Sequence, residues 1–113
     1  MILAIKRIKK TSLIVCGFTN GNLILYKASN EGLLIVEKHQ AHQLGVNCLD
    51  TVTSEAGIIV ASGGDDQQIA ISKFTKEGLF IESFKVLAHS SCIKGICAYL
   101  KDQELWLASS GYD

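Results

Sequence analysis

The sequence predicts an all-β fold: a partial β-propeller of about two and a half four-stranded blades. Three observations predict it. Short β-rich runs recur at roughly ten-residue spacing along the chain. Polar turn clusters such as TNGN, SNEG, TSEAG, GGDDQQ and TKEG separate them. Landmarks also repeat. Ala41-His42 returns as Ala88-His89, Val60-Ala61-Ser62 as Leu107-Ala108-Ser109, and Asp66 as Asp113, each 47 positions on. One unit earlier, VCGFTNGNLILY (15–26) overlays ASGGDDQQIAIS (61–72) at an offset of 46, setting Gly17 on Gly63 and Asn20 on Asp66. A period of about four strands and this length is that of a propeller blade.

Each element follows from local pattern. Blade one, 1–39, is expected to hold strands at 2–8, 12–18, 22–28 and 33–38, because ILAIKRI, LIVCGF, NLILYK and LLIVEK alternate or run apolar between polar breaks. Asn20-Gly21 reads as a two-residue hairpin turn with positive φ at both positions. Blade two, 40–87, is expected to hold strands at 45–50, 57–63, 68–74 and 80–87, from VNCLD, GIIVAS, QIAISKF and FIESFKV. Blade three, 88–113, supplies strands at 92–99 and 105–110 from IKGICAY and ELWLAS, with Asp113 on the turn. Such a chain leaves an unpaired strand edge, and exposed edges invite association. It is therefore expected to be a fragment of a longer protein or an incomplete gene model, and in isolation to self-associate or be only partly ordered.

The composition is globular, with 48% hydrophobic residues, 19% charged and no proline, which excludes a disordered tail or a proline-rich linker. Lys plus Arg and Asp plus Glu number 11 each, so no global field draws the chain to nucleic acid or an acidic membrane. One local exception is the cluster Lys6, Arg7, Lys9 and Lys10, which reads either as a solvated strand end and turn or as a set of phosphate contacts. No apolar run approaches the roughly 20 residues of a membrane-spanning helix. The order apolar-then-charged in MILAIKRIKK is the reverse of a secretory signal. Cys16, Cys48 and Cys97 sit in apolar runs and read as small buried hydrophobes. Reduced thiols and a cytoplasmic location are the expectation.

The search for chemistry finds little. The histidines are His39, His42 and His89. His42 and His89 belong to the repeat, and His39 is expected to be exposed at a blade edge. The spacing His39-x-x-His42 suits metal ligands, but no second pair lies near in sequence, and Cys92-x4-Cys97 is too wide for a zinc knuckle, so no metal is expected. No cofactor motif is present: a phosphate loop needs a helix after Gly63-Gly64, and none is predicted. Trp106 is expected in the core, with base stacking as the lesser reading. Asp66 reads as a structural acceptor in a tight turn, and Asp65 as its exposed neighbour.

The combination Ala-His, a loop entering a strand, Ala-Ser-Gly-Gly-Asp-Asp and an alternating strand resembles a WD repeat. The resemblance implies a hydrogen-bond network of His42, Ser62 and Asp66 in one blade and of His89, Ser109 and Asp113 in the next. This sequence departs from the pattern in four places. Ala-His replaces Gly-His. Ser72-Lys73 and Tyr26-Lys27 stand where the family has Trp-Asp, and Asn20 stands for the turn Asp. Residues 33–113, through HQLGVNCL, VASGGDD and AHSSCIKGI, more narrowly resemble the WD-repeat subunit of the tRNA wobble 2′-O-ribose methyltransferase complex. That resemblance implies a non-catalytic regulatory scaffold. Its partner would be an S-adenosylmethionine-dependent tRNA methyltransferase, with tRNA as a further partner. The alternative is a generic protein–protein scaffold without an RNA role, as in vesicle traffic or ubiquitin ligase assembly.

Overall fold

A computed structural model describes residues 1–111 of the chain. They form ten antiparallel strands and no helix: β1 (Ile2–Arg7), β2 (Leu13–Phe18), β3 (Asn22–Ser29), β4 (Gly32–Gln40), β5 (Val46–Ser54), β6 (Gly57–Gly64), β7 (Gln68–Phe74), β8 (Phe80–Leu87), β9 (Ile93–Lys101) and β10 (Glu104–Gly111). The strands pair as meanders into three sheets, β1-β2-β3-β4, β5-β6-β7-β8 and β9-β10. The architecture is a partial β-propeller. Across sheets, β5 meets β1 and β2 of the first sheet, and β9 meets β5 and β6 of the second.

The sheets bury each other because each presents a two-residue apolar period to its neighbour. Val15, Leu23 and Leu25 of the first sheet meet Ile58, Val60, Ala70 and Phe74 of the second in one core. Ala61, Ile69 and Ile71 on the opposite face of the second sheet meet Ile93 in another, with Ile96, Ala98 and Leu105 against it. The second sheet is thus apolar on both faces. Its two central strands accordingly read as nearly continuous buried runs, GIIVASGG and QIAISKF.

Turn chemistry departs from expectation at Asn20-Gly21. Gly21 has φ of 89°, while Asn20 keeps negative φ. The loop between β2 and β3 is a three-residue connection closed by Gly21 N–H donating to the Phe18 carbonyl at 3.1 Å. This is a type I turn followed by one left-handed residue, the usual three-residue hairpin. Asn20 contributes its side chain, which accepts the Asn22 N–H at 3.1 Å. The β6–β7 turn repeats the geometry, with Gln67 N–H donating to the Gly64 carbonyl at 3.3 Å. There the left-handed position is Gln67, at φ of 70°.

Three expectations about burial are corrected. Trp106 is 60% exposed and lies outside both cores. Cys97 is exposed and Cys48 half-buried, leaving Cys16 as the one cysteine of the three that is buried. The cause is common to Trp106 and Cys97: cross-strand pairing puts Trp106 beside Tyr99, and Cys97 beside Ala108, on the face of β9-β10 turned away from the second sheet. His39, expected to be exposed, is half-buried and stacks on Phe80 with ring centroids 4.2 Å apart.

Candidate functional site: a buried His–Ser–Asp network

The convergent polar site lies where the loop entering β5 meets the β6–β7 turn. The loop is pinned first: the N–H groups of Ala41 and His42 both donate to the Gly21 carbonyl at 3.1 Å. A Cβ at Gly21 would overlap the His42 backbone, so both the positive φ and the close approach demand glycine there. This fixes His42, which is fully buried. Its Nδ1 lies 2.9 and 3.0 Å from the two Asp66 carboxylate oxygens, and its Nε2 lies 2.9 Å from Ser62 Oγ. A carboxylate only accepts, so Nδ1 carries the proton, and the neutral ring accepts at Nε2 from the Ser62 hydroxyl. Asp66 also accepts the N–H groups of Gln43 at 3.3 Å and Gln68 at 3.2 Å. Gly64 makes room, since a Cβ there would stand 2.7 Å from His42 Nδ1 and 2.8 Å from Asp66 Oδ1.

The connectivity Ser–His–Asp is that of a hydrolase triad, but its environment is not. Ser62 and His42 are both fully buried. Neither lines the clefts on the surface. Burial lowers the His42 pKa from its usual value, opposed by the hydrogen bonds to Asp66 and Ser62. A neutral ring closed on both sides holds a turn and a loop together. Ser72, at the position where a WD repeat carries Trp, is also buried, and its hydroxyl meets Ser83 Oγ at 3.4 Å rather than extending the network.

Blade three carries the corresponding first link, His89 Nε2 to Ser109 Oγ at 2.8 Å. Asp113 lies outside the described residues.

The basic cluster does not converge. Lys6 Nζ is 3.6 Å from Asp50 Oδ1, and Arg7, its neighbour on the same strand, points to the opposite sheet face. Lys9 and Lys10 sit in the β1–β2 turn, Lys10 at φ of 64°. Lys10 borders a cleft of about 600 Å³ between the first and second sheets, at the end opposite the His42 network. Lys27 and Lys76 line the same cleft, and so do Glu55 and Glu77. Among the described residues no group of three His, Cys, Asp or Glu side chains is placed to hold a metal. Cys16 and Cys48 have thiols pushed up by burial, which removes nucleophilic thiolate.

Sequence reasoning missed Asp50, Asn47 and Glu37, which join blades. Asp50, with a side chain 18% exposed, takes Lys6 from β1 on one oxygen and the Ala98 N–H of β9 at 2.8 Å on the other. Asn47 Nδ2 donates to Asp65 Oδ1 at 2.7 Å and to the Ile93 carbonyl at 3.1 Å. Glu37 Oε1 accepts the Phe80 N–H at 2.8 Å beside the His39–Phe80 stack. A lone acid inside the apolar run VNCLDTV was the available signal for Asp50. The other two carry none.

The second sheet joins His42, Ser62 and Asp66, and the His89–Ser109 link recurs at the same positions beside the third, an arrangement that resembles a WD repeat. No protein-family model matches the chain. It is 33% identical over 88 residues to protein transport protein SEC13-2 of Candida glabrata. The match covers 74% of this chain but only 28% of that relative, so the chain spans a little over a quarter of its length. This similarity supports the WD-repeat family.

Proposed function

We propose that the chain acts as a non-catalytic WD-repeat scaffold that binds protein partners, in assemblies that move proteins within the cytoplasm. The observation that carries the non-catalytic part is the closed His42 network, whose reactive atoms are buried and satisfied by each other. The transport role rests on the similarity to a protein transport protein. A second reading is a regulatory subunit that binds a tRNA 2′-O-ribose methyltransferase and presents tRNA. Lys10, Lys27 and Lys76 around one cleft favour it, since phosphate contacts of this kind give sequence-independent affinity. Glu55 and Glu77 in the same cleft, and the pairing of Lys6 with Asp50, weigh against it.

The deciding experiment is affinity purification from the source cell with the gene containing this segment as bait, followed by mass spectrometry and RNA sequencing. Recovery of transport-assembly proteins, with RNA at background, supports the first reading. Enrichment of a ribose methyltransferase together with tRNA, with an affinity that falls steeply with salt, replaces it with the second.

A further inference from the structure

We propose that Ser12 is a phosphorylation site for a serine kinase that reads basic residues, and that the cleft between the first and second sheets holds the resulting phosphate. This goes beyond the scaffold role and does not depend on it. The first observation is in the sequence. Arg7, Lys9 and Lys10 do not converge on a surface, but along the chain they stand five, three and two residues before Ser12. Kinases choose their substrates by charge patterns of this kind. The segment is accessible: Ile8 and Leu13 are buried at its two ends, and Lys9, Lys10 and Ser12 between them are exposed. Presenting it in extended form needs only the turn from Lys9 to Ser12 to open, a local step of the kind loops make most readily. Thr11 is the competing hydroxyl, and its bonds set it apart. It donates to the Ile8 carbonyl at 2.7 Å and accepts the Leu13 N–H at 3.0 Å, which closes the turn. Among the described residues the Ser12 hydroxyl makes no hydrogen bond, while the Ser12 carbonyl accepts the Ala28 N–H at 3.0 Å and fixes the residue beside β3.

The second observation is where the product sits. Ser12 lines the cleft of about 600 Å³ together with Lys10, Lys27 and Lys76. Lys27 is the cross-strand partner of Leu13, the residue after Ser12. Among the described residues none of these three lysines is in a salt bridge. They outnumber the acids of the cleft, Glu55 and Glu77, by one, so the cleft favours an anion. Phosphorylation forms a bond from Ser12 Oγ to the γ-phosphorus of magnesium ATP. The bond from that phosphorus to its bridging oxygen breaks, ADP leaves with the electron pair, and the hydroxyl proton passes to the kinase's catalytic carboxylate. The product carries about −1.5 to −2 charge and three strong acceptor oxygens. Charge-assisted hydrogen bonds to it from Lys27 on β3 and Lys76 on the β7–β8 turn tie the two sheets together and fill the cleft.

The test incubates the folded chain with magnesium ATP and the catalytic domain of a serine kinase selective for basic residues two and three positions before its target. The expected result is one added phosphoryl group by intact mass, placed on Ser12 by fragmentation. Ser12→Ala should lose it, and Lys9→Glu combined with Lys10→Glu should slow its addition. All three positions are exposed, so the far-ultraviolet spectra should not change. Phosphorus NMR then reads the cleft. Nearby ammonium groups favour the dianion, so the phosphate should titrate below the pH of about 6 usual for phosphoserine. Lys27→Gln and Lys76→Gln, also at exposed positions, should raise the midpoint toward that value and leave addition intact. A folded chain that takes no label overturns the proposal, even where a peptide of residues 5–17 is labelled, because the turn is then closed to the enzyme. Label on Thr11, or label that survives Ser12→Ala, overturns it too. A phosphate that titrates as it does in that peptide, or one unmoved by both glutamine variants, overturns its second half.

Discussion

At the scale of the residue, the His42 network sets out the cost of a buried polar group. Asp66 satisfies one ring N–H and two backbone N–H groups, so removing its carboxylate strands three donors at once. Leaving a buried donor unpaired costs about 1–3 kcal/mol, more when a charged partner is lost. Asp66→Ala should therefore destabilise the protein by about 3 kcal/mol, read from the midpoint of urea unfolding. Ser62→Ala leaves only His42 Nε2 without its donor and should cost about 1–2 kcal/mol. Neither substitution should alter labelling by a serine-hydrolase fluorophosphonate probe, which should be nil throughout. Labelling of the unsubstituted protein that Ser62→Ala abolishes would make the triad catalytic. Gln67 is the opposite case. It holds the left-handed position that Gly21 holds one blade earlier, and a side chain there costs roughly 1–2 kcal/mol. Glycine relieves that strain and loses part of the gain to chain entropy, so Gln67→Gly should raise stability by about 0.5–1 kcal/mol. A lower urea midpoint would show the turn to be unstrained.

At the scale of the element, strand positions were legible because alternation and turn clusters report on backbone pairing directly. Nine-residue β5, by contrast, runs through Asp50, Thr51 and Thr53 to Ser54, past the point at which its polar residues read as an end. Those residues are polar because they lie at the joint of three blades, with Asp50 holding Lys6 and the Ala98 N–H. Periodicity tells which residues share a face but not whether another sheet covers it. That is why Trp106 reads as core and lies exposed, and why Asp66 was legible from the repeat while the blade-joining role of Asp50 was not. The Asp50 contact gives a prediction specific to one element. Asp50→Ala should loosen β9 from β5, and amide exchange should accelerate at Ala98 and its β9 neighbours while β2 and β3 keep their protection. Uniform acceleration across all three sheets would mean that Asp50 supports the whole stack rather than one joint.

At the scale of the whole molecule, two histidines at the joint of the first and second sheets couple stability to pH. His39 and His42 both have pKa values lowered from the usual 6.5, in each case chiefly by burial. His39 Nε2 is buried without a hydrogen-bond partner, so the stack between β4 and Phe80 of β8 tolerates only the neutral ring. His42 sits in the closed network, where a proton on Nε2 would turn the Ser62 hydroxyl from donor to acceptor. Both groups bind protons more readily when unfolded. Their contribution to stability is complete above pH of about 6.5 and is lost as the pH falls from there through the lower folded values. Thermal midpoints should therefore be flat above neutrality and fall between about pH 6.5 and pH 5, where the histidines but few carboxylates titrate. His39→Phe keeps the ring stack and removes the titration, so it should shrink this drop without abolishing it, the remainder belonging to His42. A midpoint that stays constant across that window would mean that both rings reach solvent as cations in the folded state. The joint between the first two sheets would then be open, not packed.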